Sequence, residues 1–297
     1  MTERCGFVAV VGAPNAGKST LVNALVGQKV AIVSAKAQTT RTRLIGVAIA
    51  GESQILLVDT PGIFAPRRRL DRAMVAAAWS GAQDADLIAL VIDAKTGVTH
   101  KIAELLDTLA ARHEPKLLVL NKVDIADKGK LLEIATRLQE KLSPEAIFMI
   151  SASTGDGVDD LRRALAERMP EGPWHFPEEQ VSDATDRMLA AEVTREQLYH
   201  QLHAELPYAS AVETEKYDER KDGSVAIHQQ ILVARDTQKA IVLGKRGARL
   251  KEIGSRSRTE LERLLDRKVH LFLHVKVSEK WEEDRGLYRE IGLDWVE

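Results

Sequence analysis

Two short glycine-rich stretches of this sequence have the residue types needed to hold phosphate. The first is GAPNAGKS, Gly12 to Ser19, which fits G-x-x-x-x-G-K-[S/T] between the apolar run FVAVVG and the helix-period segment KSTLVNALVG. A strand in front and a helix opening behind is the setting such a loop requires. Gly12 and Gly17 let the backbone wrap around phosphates. The amides across Asn15, Ala16, Gly17, Lys18, Ser19 and Thr20 then point inward, backed by the positive end of the helix dipole. Lys18 reaches the β- and γ-phosphates, and Ser19 offers its hydroxyl to Mg²⁺.

Three more pieces follow in order along the chain. DTPG, Asp59 to Gly62, closes a predicted strand. Asp59 would hold Mg²⁺ through water, and the Gly62 amide would sense the γ-phosphate. NKVD, with Asn121, Lys122 and Asp124, closes a later strand. There the Asp124 carboxylate can accept both the N1–H and the exocyclic N2–H₂ of guanine. Adenine lacks that donor pair, and leaving a polar group of the site unpaired is worth ~10⁴-fold in discrimination. SAS, with Ser151, Ala152 and Ser153, closes the last strand and would supply a backbone amide to the guanine oxygen. Each piece alone is a weak signal. Together with the loop, and in this order, they point to a guanine nucleotide.

The second stretch is VLGKRGARLKEIG, Val242 to Gly254. From Lys239 to Arg258 the chain carries seven basic residues and one acid, Glu252, or +6 over twenty positions of a protein whose net charge is −2. A solvated helix face or a plain helix–helix turn would also account for such a run. Gly244-Lys245-Arg246-Gly247, however, lets a backbone come close to a sugar-phosphate chain, with Lys245 and Arg246 neutralising phosphates. Arg249 and Lys251 begin the next predicted helix and add charge at its amino end. Ile241, Val242, Leu243, Leu250 and Ile253 would line a groove for unstacked bases.

The elements that position these loops fall into two sets. Residues 6–168 alternate continuous apolar runs (FVAVVG, QILLVDT, DLIALVID, KLLVLNK, AIFMISA) with amphipathic segments. That is the signature of βαβ crossovers and a doubly wound, mostly parallel α/β sheet, with ligands at the carboxyl ends of the strands. MPEGPWHFPEE, Met169 to Glu179, ends the last helix with three prolines and a glycine. After it the order becomes α-β-β-α-α-β, with the turn RKDGS inside an antiparallel hairpin. The expected division is a first domain over 1–172, a linker over 173–183 and a second domain with a tail over 184–297. The single cysteine, Cys5, excludes an internal disulfide framework and fits a reducing compartment. The amino end has no signal-peptide pattern, and no apolar run is long enough to span a bilayer.

The set NAGKS, TTR, DTPG, NKVD and SAS resembles the GTPase domain of the Era family, and G-x-x-G between adjacent helices resembles a type II KH domain. The resemblance spans essentially the whole chain. It implies a P-loop GTPase domain followed by an α+β KH domain that clamps about four nucleotides of single-stranded RNA. Within KAQTTRTR, Lys36 to Arg43, one threonine would close over Mg²⁺. Thr40 is favoured, being just before the arginine, with Thr39 the alternative. Lys18, Thr40, Asp59 and Gly62 form the expected catalytic set, and Ser19, Thr40 and Asp59 the Mg²⁺ set. The residue after DTPG is Ile63, where other GTPases have a water-orienting glutamine. The family shares that hydrophobic residue, which implies slow intrinsic hydrolysis. Asn15 implies K⁺ near the β- and γ-phosphates.

The implied partners are GTP and GDP, the 3′ region of 16S rRNA and the 30S subunit. The implied state is a cytoplasmic monomer with peripheral association at the inner membrane. Two competing readings are a constitutive RNA-binding module and a membrane-surface signalling GTPase with an incidental basic patch. His200 and His203 lack further ligands for a metal. Trp281, Tyr288 and Trp295 of the tail are expected to pack on the second domain's sheet rather than stack on bases.

Overall fold

The computed structural model describes residues 2–36, 39–41, 43–62, 66, 68–83 and 85–296. The chain divides into two compact units, Met1–Asp183 and Ala184–Glu297.

In the first unit, strands β1 (Arg4–Val11), β2 (Leu44–Ala50), β3 (Ser53–Asp59), β4 (Leu87–Asp93), β5 (Lys116–Asn121) and β6 (Ala146–Met149) form one sheet. Its order is β2-β3-β1-β4-β5-β6. β2 runs antiparallel to β3, and the other described pairings are parallel. Helices α1 (Lys18–Val26), α2 (Arg69–Gln83), α3 (His100–Ala110), α4 (Lys128–Leu142) and α5 (Val158–Glu167) alternate with the strands. Successive strand residues point to opposite faces, so Val8 and Val10 of β1 pack with Leu21 of α1 and Leu161 of α5. Ala9 and Val11 pack with Leu105 of α3 and Leu138 of α4. Both faces are covered, which is why these strands read as unbroken apolar runs.

β2 is the element that the pattern of βαβ crossovers does not contain. LIGVAIA joins β3 through a two-residue turn, Gly51-Glu52, with Ala50 paired to Ser53. That short turn leaves no room for a crossover helix. The expected linker is not free either, since it lies along this edge of the first unit. Trp174 Nε1 donates to Glu52 O at 3.1 Å and Gln54 Nε2 to Phe176 O at 2.8 Å. Val47 N donates to Val181 O at 2.8 Å, and Ile45 N to the Asp183 carboxylate at 2.8 Å.

Register brings the strand ends level. Val10 lies beside Asp59 and Asp93 beside Asn121. The motif loops therefore emerge together at the carboxyl ends of the strands, as the rule for open α/β sheets requires.

The second unit holds α6 (Asp186–Gln201), β7 (Ser210–Glu219), β8 (Val225–Val233), α7 (Asp236–Leu243), α8 (Ala248–Leu265), β9 (Val269–Val277) and α9 (Arg285–Glu290). β8 is central, antiparallel to β7 and parallel to β9. Ile231 and Val233 of β8 and Val275 of β9 pack against Leu198, Val242 and Ile253. In the tail, Trp281 and Tyr288 are buried, with Tyr288 edge-on to Trp295 at 5.0 Å between ring centres. Burial leaves neither of these two rings a face for a base. Among the described residues no helix is long and apolar enough to cross a membrane. Nor does any group of three His, Cys, Asp or Glu side chains among them suit a metal ion.

Candidate nucleotide site and nucleic-acid interface

The phosphate loop is packed from several sides. Gly17 has φ 94°, and a Cβ there would lie 2.2 Å from Asn121 Nδ2. Only glycine fits such backbone and such proximity. A Cβ on Gly12 would lie 2.4 Å from Val91 O, and one on Gly62 would lie 2.8 Å from Pro14 N. The DTPG segment thus presses directly on the loop. Lys18 is only 6% exposed, and its ammonium donates to Gly12 O at 3.2 Å and Ala13 O at 3.0 Å. Burial lowers its pKa to about 8, with the Asp59 charge opposing that shift.

Ser19, Thr40 and Asp59 meet beside it. Ser19 Oγ donates to Asp59 Oδ2 at 2.7 Å, and Thr40 Oγ1 approaches the same oxygen at 3.3 Å. The two hydroxyls are 2.8 Å apart. Thr39 instead donates to Lys36 O at 2.8 Å, so the two threonines have separate partners. Burial pushes the Asp59 carboxyl upward in pKa, against the pull of Ser19, Lys18 and Thr40. Ile63 lies outside the described residues.

The base loops are tied to the phosphate loop. Asn121 is buried. Its Nδ2 donates to Ala16 O at 2.9 Å, and its Oδ1 accepts from Ala152 N at 2.9 Å. One side chain therefore joins NKVD, SAS and the phosphate loop. Ser151 and Ser153 face each other through their hydroxyls at 3.1 Å. Asp124 is exposed in a short turn after β5 and is open to a ligand. Asn15 and Lys122 both hold positive φ, 64° and 67°, a strained conformation for residues other than glycine that concentrates at functional sites. Thr20 lines the same cleft from α1.

The basic loop is of a different make. Gly244 has φ 69° and Gly247 φ 77°, with Arg246 between them at φ 53°. A Cβ on Gly244 would meet Arg249 Cβ at 2.7 Å, whereas one on Gly247 would meet nothing within 4 Å. Lys245, Arg246 and Lys251 are exposed. Arg249 Nη1 donates to Ile241 O at 3.0 Å, satisfying a carbonyl in the last turn of α7. Arg249 therefore has a structural duty in addition to its charge. Two of the expected groove residues do not line a groove: Val242 and Ile253 are fully buried in the core, whereas Ile241 is exposed. Arg256 pairs with Glu252 at 2.6 Å, which cancels part of the basic run.

The comparisons with known proteins bear on both loops. A family model described as 50S ribosome-binding GTPase matches residues 7–122, and a KH-domain model matches residues 205–282. GTPase Era of Erythrobacter litoralis is 59% identical over 303 residues, covering 100% of both chains. GTPase Era of a Bradyrhizobium species is 58% identical over 292 residues, covering 98% of this chain and 95% of its own. The chain belongs to the Era family of GTPases. Two solved Era structures superpose with a TM-score of 0.92 at 38% identity. One is Aquifex aeolicus Era bound to GDP·AlF₄⁻, covering 97% of this chain and 99% of its own. The other is Era with MgGDPNP and nucleotides 1506–1542 of 16S ribosomal RNA, covering 98% and 99%.

As an Era GTPase the chain hydrolyses GTP to GDP and phosphate, and its residues fit the metal this needs. Asp59 Oδ1 is buried with no hydrogen-bond partner, beside two hydroxyls that converge on the other oxygen of the same carboxylate. An all-oxygen set of this kind suits Mg²⁺. When bound, the metal neutralises charge on the β- and γ-phosphates. Phosphoryl transfer depends on positioning and charge neutralisation, and a buried ammonium beside a glycine loop has the chemistry to supply both.

Proposed function

We propose that this Era GTPase is a GTP-driven RNA-binding switch that holds single-stranded 16S rRNA near its 3′ end and assists assembly of the 30S subunit. The observation that carries this reading is an exposed Gly-Lys-Arg-Gly loop between two helices, on a chain whose other unit is a GTP pocket. In this reading Gly12, Asn15 to Thr20, Asn121, Lys122, Asp124 and Ser151 to Ser153 bind the nucleotide. Ser19, Thr40 and Asp59 hold Mg²⁺. Lys18 and the Gly62 amide act on the γ-phosphate. Gly244 to Gly247, Arg249 and Lys251 meet the RNA backbone, and Arg249 also braces the loop through Ile241 O. The relative solved with MgGDPNP and 16S nucleotides supports the choice of RNA.

The coupling has a candidate route within the first unit. Thr40 sits a few residues before β2, and β2 is hydrogen-bonded to the segment that leads into Ala184. Ordering of Thr40 around Mg²⁺ and the γ-phosphate would bias that strand. We assign the protein to the cytoplasm as a monomer, with any inner-membrane contact peripheral.

Asn15 suggests the ion that supplements Lys18. Its Nδ2 donates to Ala35 O at 2.9 Å, which leaves the side-chain oxygen to face a cation near the β- and γ-phosphates. Single-turnover hydrolysis is expected to be faster in K⁺ than in Na⁺, and equal rates would remove K⁺ from the account.

RNA identity is tested by competing a 3′-terminal 16S fragment against a scrambled one of equal length, with GDPNP bound. Preference for the native fragment, lost in Gly247→Asp, supports the reading. Equal affinity for both fragments would refute the assigned target.

A further inference from the structure

Asp93 ends β4 directly beside Asn121, the first residue of the guanine motif. Its two carboxylate oxygens face different ways. Oδ1 accepts from Lys95 N at 2.9 Å and Thr96 N at 3.3 Å, shaping the turn after the strand. Oδ2 accepts from Lys122 Nζ at 2.7 Å. The same ammonium donates to Asn15 O at 2.6 Å, across 107 residues of sequence. Both partners are partly buried, with side-chain exposures of 18% for Asp93 and 29% for Lys122.

Two tethers therefore join the end of β5 to the phosphate loop. The Asn121–Ala16 tether is short, and Ala152 N holds the other end of the amide. Lys122, by contrast, is a long flexible side chain on a strained backbone, and an ammonium left alone would turn to solvent. We propose that Asp93 is a positioning residue for nucleotide retention: it clamps Lys122 onto the Asn15 carbonyl and so makes the base loop and the phosphate loop one rigid clasp. This rests on the reading of Lys122 as part of the guanine pocket. Burial alone would raise the Asp93 carboxyl. The hydrogen bond and charge of Lys122, with the Thr96 and Lys95 amides, outweigh burial and hold it below the usual carboxylate range. Its loss should speed release of GDP and GDPNP alike, because both share the base and the phosphate loop that the clasp joins.

The test follows release of N-methylanthraniloyl-GDP from the full chain after a chase with unlabelled GDP. Asp93→Asn keeps an oxygen for the turn amides but removes the charge that holds Lys122. It should release nucleotide roughly tenfold faster, the scale of one charge-assisted hydrogen bond. The double variant Asp93→Asn/Lys122→Met should release no faster than Lys122→Met alone, because Asp93 acts through that lysine. Wild-type release in Asp93→Asn, or effects that multiply in the double variant, would overturn the clasp while leaving the guanine pocket intact. Wild-type release in Lys122→Met would instead remove Lys122 from the pocket, and the clasp with it.

Discussion

In the proposed function the two glycine loops meet one demand, holding the phosphates of a ligand with backbone and lysine, and they do so in opposite surroundings. Around the first, glycine is required by neighbours: Asn121, Val91 O and Pro14 N leave no room for a Cβ on Gly17, Gly12 or Gly62. Lys18 is buried and already bonded to loop carbonyls. Around the second, Gly247 faces open space and Lys245 and Arg246 stand in solvent. A small ligand enclosed on all sides can be gripped by a preformed, desolvated cradle. A polymer passing over a surface meets an open loop whose charges are screened by salt. The difference teaches that a shared sequence signature, glycines flanking basic residues, predicts ligand chemistry but not the energetics of holding it.

The largest expected break in this comparison is Lys18→Ala. Removing a buried ammonium from its phosphate partner should weaken GTP binding by roughly 10²–10³-fold by calorimetry, the scale of 2–5 kcal/mol for a buried charged pair. RNA affinity of the nucleotide-free protein should be unchanged. Gly247→Asp comes next. It should cost about 1 kcal/mol of stability for a left-handed backbone. RNA affinity should fall at least tenfold, because a carboxylate replaces a phosphate approach, while GTP binding stays at the wild-type value.

A stability pair sharpens the contrast inside the second loop. Gly244→Ala places a methyl 2.7 Å from Arg249 Cβ and should cost roughly 1–3 kcal/mol by urea unfolding, more than Gly247→Ala, which meets nothing. Equal costs would mean that packing against Arg249 does not distinguish the two glycines.

The smallest effect is in pH. Lys18 has a pKa of about 8 in the free pocket, and phosphate must raise it. The bound state therefore carries more protons, and affinity falls as pH rises above about 8. From pH 7 to 8.5 the loss should be about fourfold. Binding that strengthens over that range would contradict the buried, charged lysine.

Much of this was legible in the sequence because it is local. The loop GAPNAGKS between strand and helix, the apolar runs, and the α-β-β-α-α-β order each depend on neighbours in the chain. The edge strand β2 was not, since LIGVAIA is apolar without a crossover helix and its antiparallel pairing depends on the Gly51-Glu52 turn. Val242 and Ile253 look like groove residues in the sequence, but their helix faces turn them into the core. Arg249 reads as an RNA contact, yet its bond to Ile241 O needs two helices in place. Asp93 gave no signal, because its partner Lys122 lies 29 residues away.

The central claim is that the nucleotide sets how well the RNA is held. The direct measurement is the affinity of the full chain for the 3′-terminal 16S fragment with GDP and with GDPNP, at one salt concentration. The account predicts tighter RNA binding with GDPNP and, by reciprocity, the same factor of tightening of GDPNP, relative to GDP, when RNA is bound. Identical RNA affinity in the two nucleotide states would contradict it and leave a constitutive RNA-binding protein that happens to hydrolyse GTP.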